Sequence, residues 1–123
     1  MDELQYEDFA KLDIRIGTVV AAELVPDTDK LIKCTVDFGD PPAGGGTRTI
    51  VSGIARWPAG GGSASGGKKP EELIGKQLPY IVNLAPRVLR GVESQGMLLA
   101  ASDESGVALI FPERAVQSGT RLK

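Results

Sequence analysis

From Asp13 the chain alternates, with Ile14, Ile16, Thr18 and Val20 on one side and Asp13, Arg15 and Gly17 on the other. A period of two predicts a half-buried strand, and a glycine in its middle predicts a bend or bulge where a long strand curls. Pro26-Asp27-Thr28-Asp29 reads as a turn. Alternation resumes in LIKCTVDF, placing Ile32, Cys34, Val36 and Phe38 inward and Lys33, Thr35 and Asp37 outward. Gly39 to Gly46 forms a loose connection, and the β-branched run TRTIVSG, Thr47 to Gly53, predicts a third strand. Two more barrel strands are expected at about Gln77 to Leu84 and Gly96 to Ser102, and a further strand at Val107 to Phe111 in the apolar tail.

Helical signals are brief. Glu7 to Leu12 predicts one or two turns with Asp8 as N-cap, and Pro70 to Ile74 a short helix with Pro in its first turn, closed by Gly75. Between the third strand and that helix, Pro58 to Lys69 forms a Gly/Ser-rich insertion whose stretch to Gly67 has no apolar residue larger than Ala. Such a composition predicts a flexible surface segment. The order of elements is that of an all-β, five-stranded Greek-key barrel of the OB type, one domain over residues 1–123. It has one short helix between strands 3 and 4, and extensions at both ends.

Composition removes function classes more than it adds them. The chain has no histidine and a single cysteine, so the commonest general base and the usual zinc ligand sets are missing. No metal or cofactor is expected. Cys34 falls on an inward position and reads as a small core residue, in keeping with a reducing compartment. The acidic start, MDELQYEDF, is unlike a signal peptide and no apolar run could span a bilayer, so a cytoplasmic protein is expected. The acid pairs Asp27/Asp29, Glu71/Glu72 and Asp103/Glu104 sit in turns or helix starts, where acids serve local purposes. Gly62 to Lys68 fits G-x4-G-K, but Lys69 stands where a phosphate loop needs Ser or Thr, and Pro70 follows at once. These features together argue against an enzyme.

Net charge is −2, unevenly spread. Residues 1–40 carry four Lys/Arg against ten Asp/Glu, whereas residues 41–123 carry ten against six. A chain divided this way can present a basic face while acidic overall.

The candidate chemistry lies in NLAPRVLRGVESQGMLLAAS, Asn83 to Ser102, read as a long cationic loop between two apolar runs. Pro86 restricts Ala85 and fixes the angle at which Arg87 departs. Arg87 and Arg90 bracket a turn, and Ser94-Gln95 place short polar groups beside Gly96, where a ligand backbone can approach. Guanidinium suits phosphate, and Asn, Ser and Gln suit sugar hydroxyls and base edges.

FAKLDIRIGTVVAAELVPDTDKL, IVSGIA, EELIGKQ, VNLAPR and GVESQGMLLAASD are similar to successive blocks of the tRNA-binding domain family. The resemblance covers about Asp8 to Lys123. It implies an OB-fold, structure-selective and sequence-tolerant tRNA binding, a homodimer built through the extensions, and an aminoacyl-tRNA synthetase as a further partner. Asn83, Arg87, Ser94 and Met97 match the family's contact motif. Lys30, Lys33, Arg90 and Gln95 join them as candidate RNA contacts. DIRIGTVV and VDFG also fit a secretion chaperone branch of the same fold, which binds peptides and is the alternative reading.

Overall fold

A computed structural model describes residues 2–40, 46–56 and 66–123. Most of the insertion expected over 58–69 therefore lies outside the described residues, as do residues 41–45 of the connection after the second strand. The described chain runs α1 (Tyr6–Ala10), β1 (Ile14–Leu24), β2 (Ile32–Asp37), β3 (Thr47–Ser52), a 3-10 turn (Pro70–Glu72) and β4 (Gln77–Ile81). Five short strands follow: β5 (Arg87–Leu89), β6 (Val92–Ser94), β7 (Met97–Leu98), β8 (Ala101–Asp103) and β9 (Gly106–Ala108).

The main sheet has the order β3-β2-β1-β4-β7 and is antiparallel throughout. β1 is long enough to serve both halves of the barrel: Ile14 to Thr18 pair with β4, and Thr18 to Leu24 pair with β2. The join is a register shift between Val19 and Ala21. This bulge corrects the simple alternation expected there: Val19 is buried and Val20 is 51% exposed. The bend or bulge expected from Gly17 occurs as this bulge, two residues further on, while Gly17 itself is held by packing. A Cβ on Gly17 would lie 2.7 Å from the Phe38 ring and closer still to Val36, so the residue is small to admit Phe38.

Inside the barrel, Val19, Ile32, Cys34, Val36, Phe38 and Ile50 pack with Leu73, Leu78, Tyr80 and Val82. Phe38 meets Tyr80 edge-on, with ring centroids 5.5 Å apart. Burial pushes the Cys34 thiol up to about 11, as expected of a core residue rather than a reactive one. Burial, with a smaller contribution from Cys34, also raises the Tyr80 hydroxyl.

The helical signals are displaced by a few residues. Gln5 caps α1, and Asp8 returns its carboxylate to the Gln5 amide at 3.3 Å, the reciprocal half of a capping box rather than the cap itself. The helix expected at 70–74 is a 3-10 turn, held by Glu72 accepting from the Lys69 amide at 2.7 Å and anchored by buried Leu73. The C-terminal tail lies along the free edge of β1. Gly119 donates to Ile16 O, Ile16 to Thr120 O and Leu122 to Ile14 O. Among the described residues no helix is long and apolar enough to cross a membrane.

Candidate nucleic-acid interface

Asn83 to Ser102 is not a loop. It folds into its own hairpin, β5–β6, then joins the barrel edge as β7 and leaves it again as the β8–β9 hairpin. The pairs Arg87↔Ser94, Val88↔Glu93 and Leu89↔Val92 leave Arg90-Gly91 as a two-residue turn. Both have positive φ, 51° for Arg90 and 80° for Gly91. That is the hairpin turn whose twist matches the strands it joins. Glycine takes the left-handed geometry freely, whereas Arg90 takes it at a cost and holds its guanidinium at the exposed tip.

The hairpin leans over β3, and this explains a pattern that alternation could not. Ile50 and Val51 are consecutive yet both buried: Ile50 enters the barrel core, while Val51 lies beneath the hairpin on the outer face. Arg87, Leu89 and Met97 stand around Val51 and bound two adjoining clefts. The first, about 410 Å³, continues past Leu31, Ile54 and Ser102 to Val107. The second, about 360 Å³, runs toward Leu84, Ala85 and Ser94. Arg87 is the one charged residue among those described that line either cleft. It makes no ion pair within the described residues, and neither do Arg90 and Lys30.

The other candidates divide by what already holds them. Lys33 is on β2, opposite Val51 of β3 and Glu23 of β1, and its ammonium pairs with Glu23 at 3.2 Å. Lys30 lies in the β1–β2 connection, its carbonyl accepting from Ala55. Ser94 is 4% exposed; its Oγ accepts from the Val51 amide at 2.9 Å and donates to Gly96 O at 3.1 Å. Gln95 pairs with Thr49 twice, its amide donating to Thr49 O at 2.8 Å and its Oε1 accepting from Thr49 N at 3.0 Å. Asn83 accepts from the Asp13 amide at 2.8 Å and donates to Lys11 O at 2.6 Å, tying the end of β4 to the N-terminal segment. So Arg87, Arg90, Lys30 and Met97 present free or half-exposed groups, whereas Asn83 and Ser94 spend their side-chain polar atoms on the backbone and Gln95 its Oε1.

Val51, Leu89, Leu31 and Ile54, which build the clefts, were not among the expected site residues. Their signal was the failure of alternation in TRTIVS, since two neighbouring buried residues on one strand require cover on both faces. Of the phosphate-loop lookalike, Gly62 to Ser65 lie outside the described residues. Gly66 and Gly67 are packed, because a Cβ on Gly67 would strike Ala55 and one on Gly106 would strike Gly66.

A family profile described as "Putative tRNA binding domain" matches residues 14–121. A methionine–tRNA ligase from Porphyromonas gingivalis is 46% identical over 123 residues, covering 99% of this chain. The chain spans only about 16% of that relative's length. A MetRS-related protein from Pyrococcus horikoshii superposes with a TM-score of 0.81 at 41% identity, over 100% of both chains. The chaperone CsaA from Bacillus anthracis superposes with a TM-score of 0.78 at 29% identity, over 99% of this chain and 100% of that one.

Proposed function

The chain belongs to the tRNA-binding domain family, and from that membership and the geometry of the clefts we propose that it binds tRNA as a non-catalytic module, recognising shape more than sequence. The observation that carries the reading is the family match, whose span, 14–121, contains both clefts and the cations around them. Arg87, Arg90 and Lys30 supply unpaired positive charge for phosphate, and Lys33 adds more once Glu23 releases it. Met97 offers a polarizable contact for a base face. Asn83, Ser94 and Gln95 contribute by fixing the frame on which those groups sit.

The module works as a homodimer in this reading. Ile110 and Phe111 of the tail and Leu4, Tyr6 and Phe9 of the N-terminal segment are exposed apolar groups of the kind a second copy would cover. Similarity to a segment of methionine–tRNA ligases makes such a synthetase the natural partner or parent of the module, working in the cytoplasm where tRNA is charged. The test is a titration with bulk tRNA at two salt concentrations. A binding constant that falls steeply with salt is expected, with a slope set by the number of neutralised phosphates. Salt-independent binding, or none, would end the proposal.

A second reading rests on the likeness to CsaA and on the apolar cleft walls. A peptide-binding chaperone would hold an unfolded apolar peptide there, and tRNA would not displace it.

A further inference from the structure

The two clefts are neighbours with a shared wall. Val51, Arg87, Leu89 and Met97 line both, so the Arg87–Met97 ridge divides one trough into two chambers. Each chamber, at about 410 and 360 Å³, falls in the size range of small-ligand sites, about 300–1,000 Å³. Among the described residues their walls combine aliphatic and thioether groups with three serines, Ser52 and Ser102 in the first and Ser94 in the second, and one cation at the divide. A nucleotide strand has the complementary layout, with flat apolar faces on either side of a single negative charge.

Resting on the tRNA reading, we propose that two consecutive nucleotides from an unpaired stretch of the RNA straddle this ridge. One base enters each chamber, and the phosphate joining them lies on the Arg87 guanidinium. Arg87 suits that place because it is exposed and has no carboxylate competing for it among the described residues. The chambers differ in selectivity. Ser52 and Ser102 line the first, where their hydroxyls can meet a base edge. In the second the only side-chain hydroxyl among the described residues is that of Ser94, already committed to Val51 and Gly96. The second chamber therefore takes any base by its faces, and the first discriminates weakly by its edge. A duplex cannot deliver two adjacent bases this way, so the trough directs the module to loops and ends.

The experiment titrates the full chain with adenosine monophosphate, with the dinucleotide ApA and with bulk tRNA in one buffer. ApA should bind about tenfold or more tightly than the mononucleotide, since it adds a second base contact. Ala101→Trp fills the first chamber only and Ala85→Trp the second only, both from exposed positions. Each should reduce ApA to mononucleotide affinity with an unchanged thermal melt. Arg87→Ala, which leaves both chambers open, should weaken ApA about tenfold as an independent check. ApA binding no tighter than the mononucleotide, or surviving both tryptophan variants, overturns the straddled ridge. If tRNA binds and ApA does not, the trough proposal fails while the tRNA reading stands; if neither binds, both fall. An extended apolar peptide that occupies the trough where ApA does not would assign it to the chaperone class.

Discussion

Two ends of the same barrel employ arginine in opposite ways. At the seam where the tail meets β1, Arg15 holds Asp13 at 2.8 Å and donates to Gly119 O at 3.1 Å. Arg121 reaches Asp13 at 3.7 Å and the Leu12 carbonyl at 3.1 Å. At the β3 edge Arg48 donates to Val82 O at 2.6 Å and to Gln95 O at 3.3 Å, and stands 5.8 Å from the Phe38 ring centre. At the cleft, Arg87 and Arg90 make no ion pair with any described residue. The first group closes a fold, and the second has no carboxylate partner among the described residues, as the proposed phosphate contacts require. A count of cations therefore says little about binding; what matters is how many are already spent.

Substitutions should separate the two groups. The largest expected effect is on Arg48→Ala, which removes two charge-assisted bonds to carbonyls and a contact with Phe38, and should cost about 2–3 kcal/mol of stability. A denaturant melt checks it, and a change below about 0.5 kcal/mol would erase the contrast. Ser94→Ala comes next, at about 1–3 kcal/mol, because it leaves the Val51 amide without its acceptor on a buried position. Its tRNA affinity, measured well below the melt, should stay within about twofold of the parent; a tenfold loss would return Ser94 to the ligand contacts.

Arg87→Ala should behave in reverse. Stability should move by less than about 0.5 kcal/mol, tRNA should bind about tenfold more weakly, and the salt slope should fall by about 0.7 to 0.9. Equal losses from Arg87→Ala and Arg114→Ala would mean diffuse attraction rather than a site. Arg114 is exposed on the tail and among the described residues donates only to its neighbour's carbonyl, so its own substitution should be the smallest effect, silent in both measurements.

The barrel was legible in the chain because burial on one face imposes a period of two, and β2 shows it without interruption from Ile32 to Asp37. Gly17 announced a bend or bulge in β1 but not its place at Val19, since a register shift is decided by the curl of the closed sheet and not by the residues at the shift. The β5–β6 hairpin was not legible: Arg90-Gly91 has a glycine but lacks the Asn or Asp that usually marks its first position. The cations of the site could be named from residue type alone. The duties of Asn83, Ser94 and Gln95 could not, because their partners Asp13, Val51 and Thr49 lie far away along the chain.

The bonds from Ser94 and Gln95 to β3 also bear on solubility. β3 is a terminal strand of the sheet, and a bare row of amides there would template the addition of a strand from another molecule. Ser94 Oγ blocks the Val51 amide and Gln95 Oε1 blocks that of Thr49, so two side chains stand where a foreign backbone would dock. Ser94 and Gln95 thus work as a gatekeeper pair, keeping a concentrated solution of this small barrel from knitting itself edge to edge.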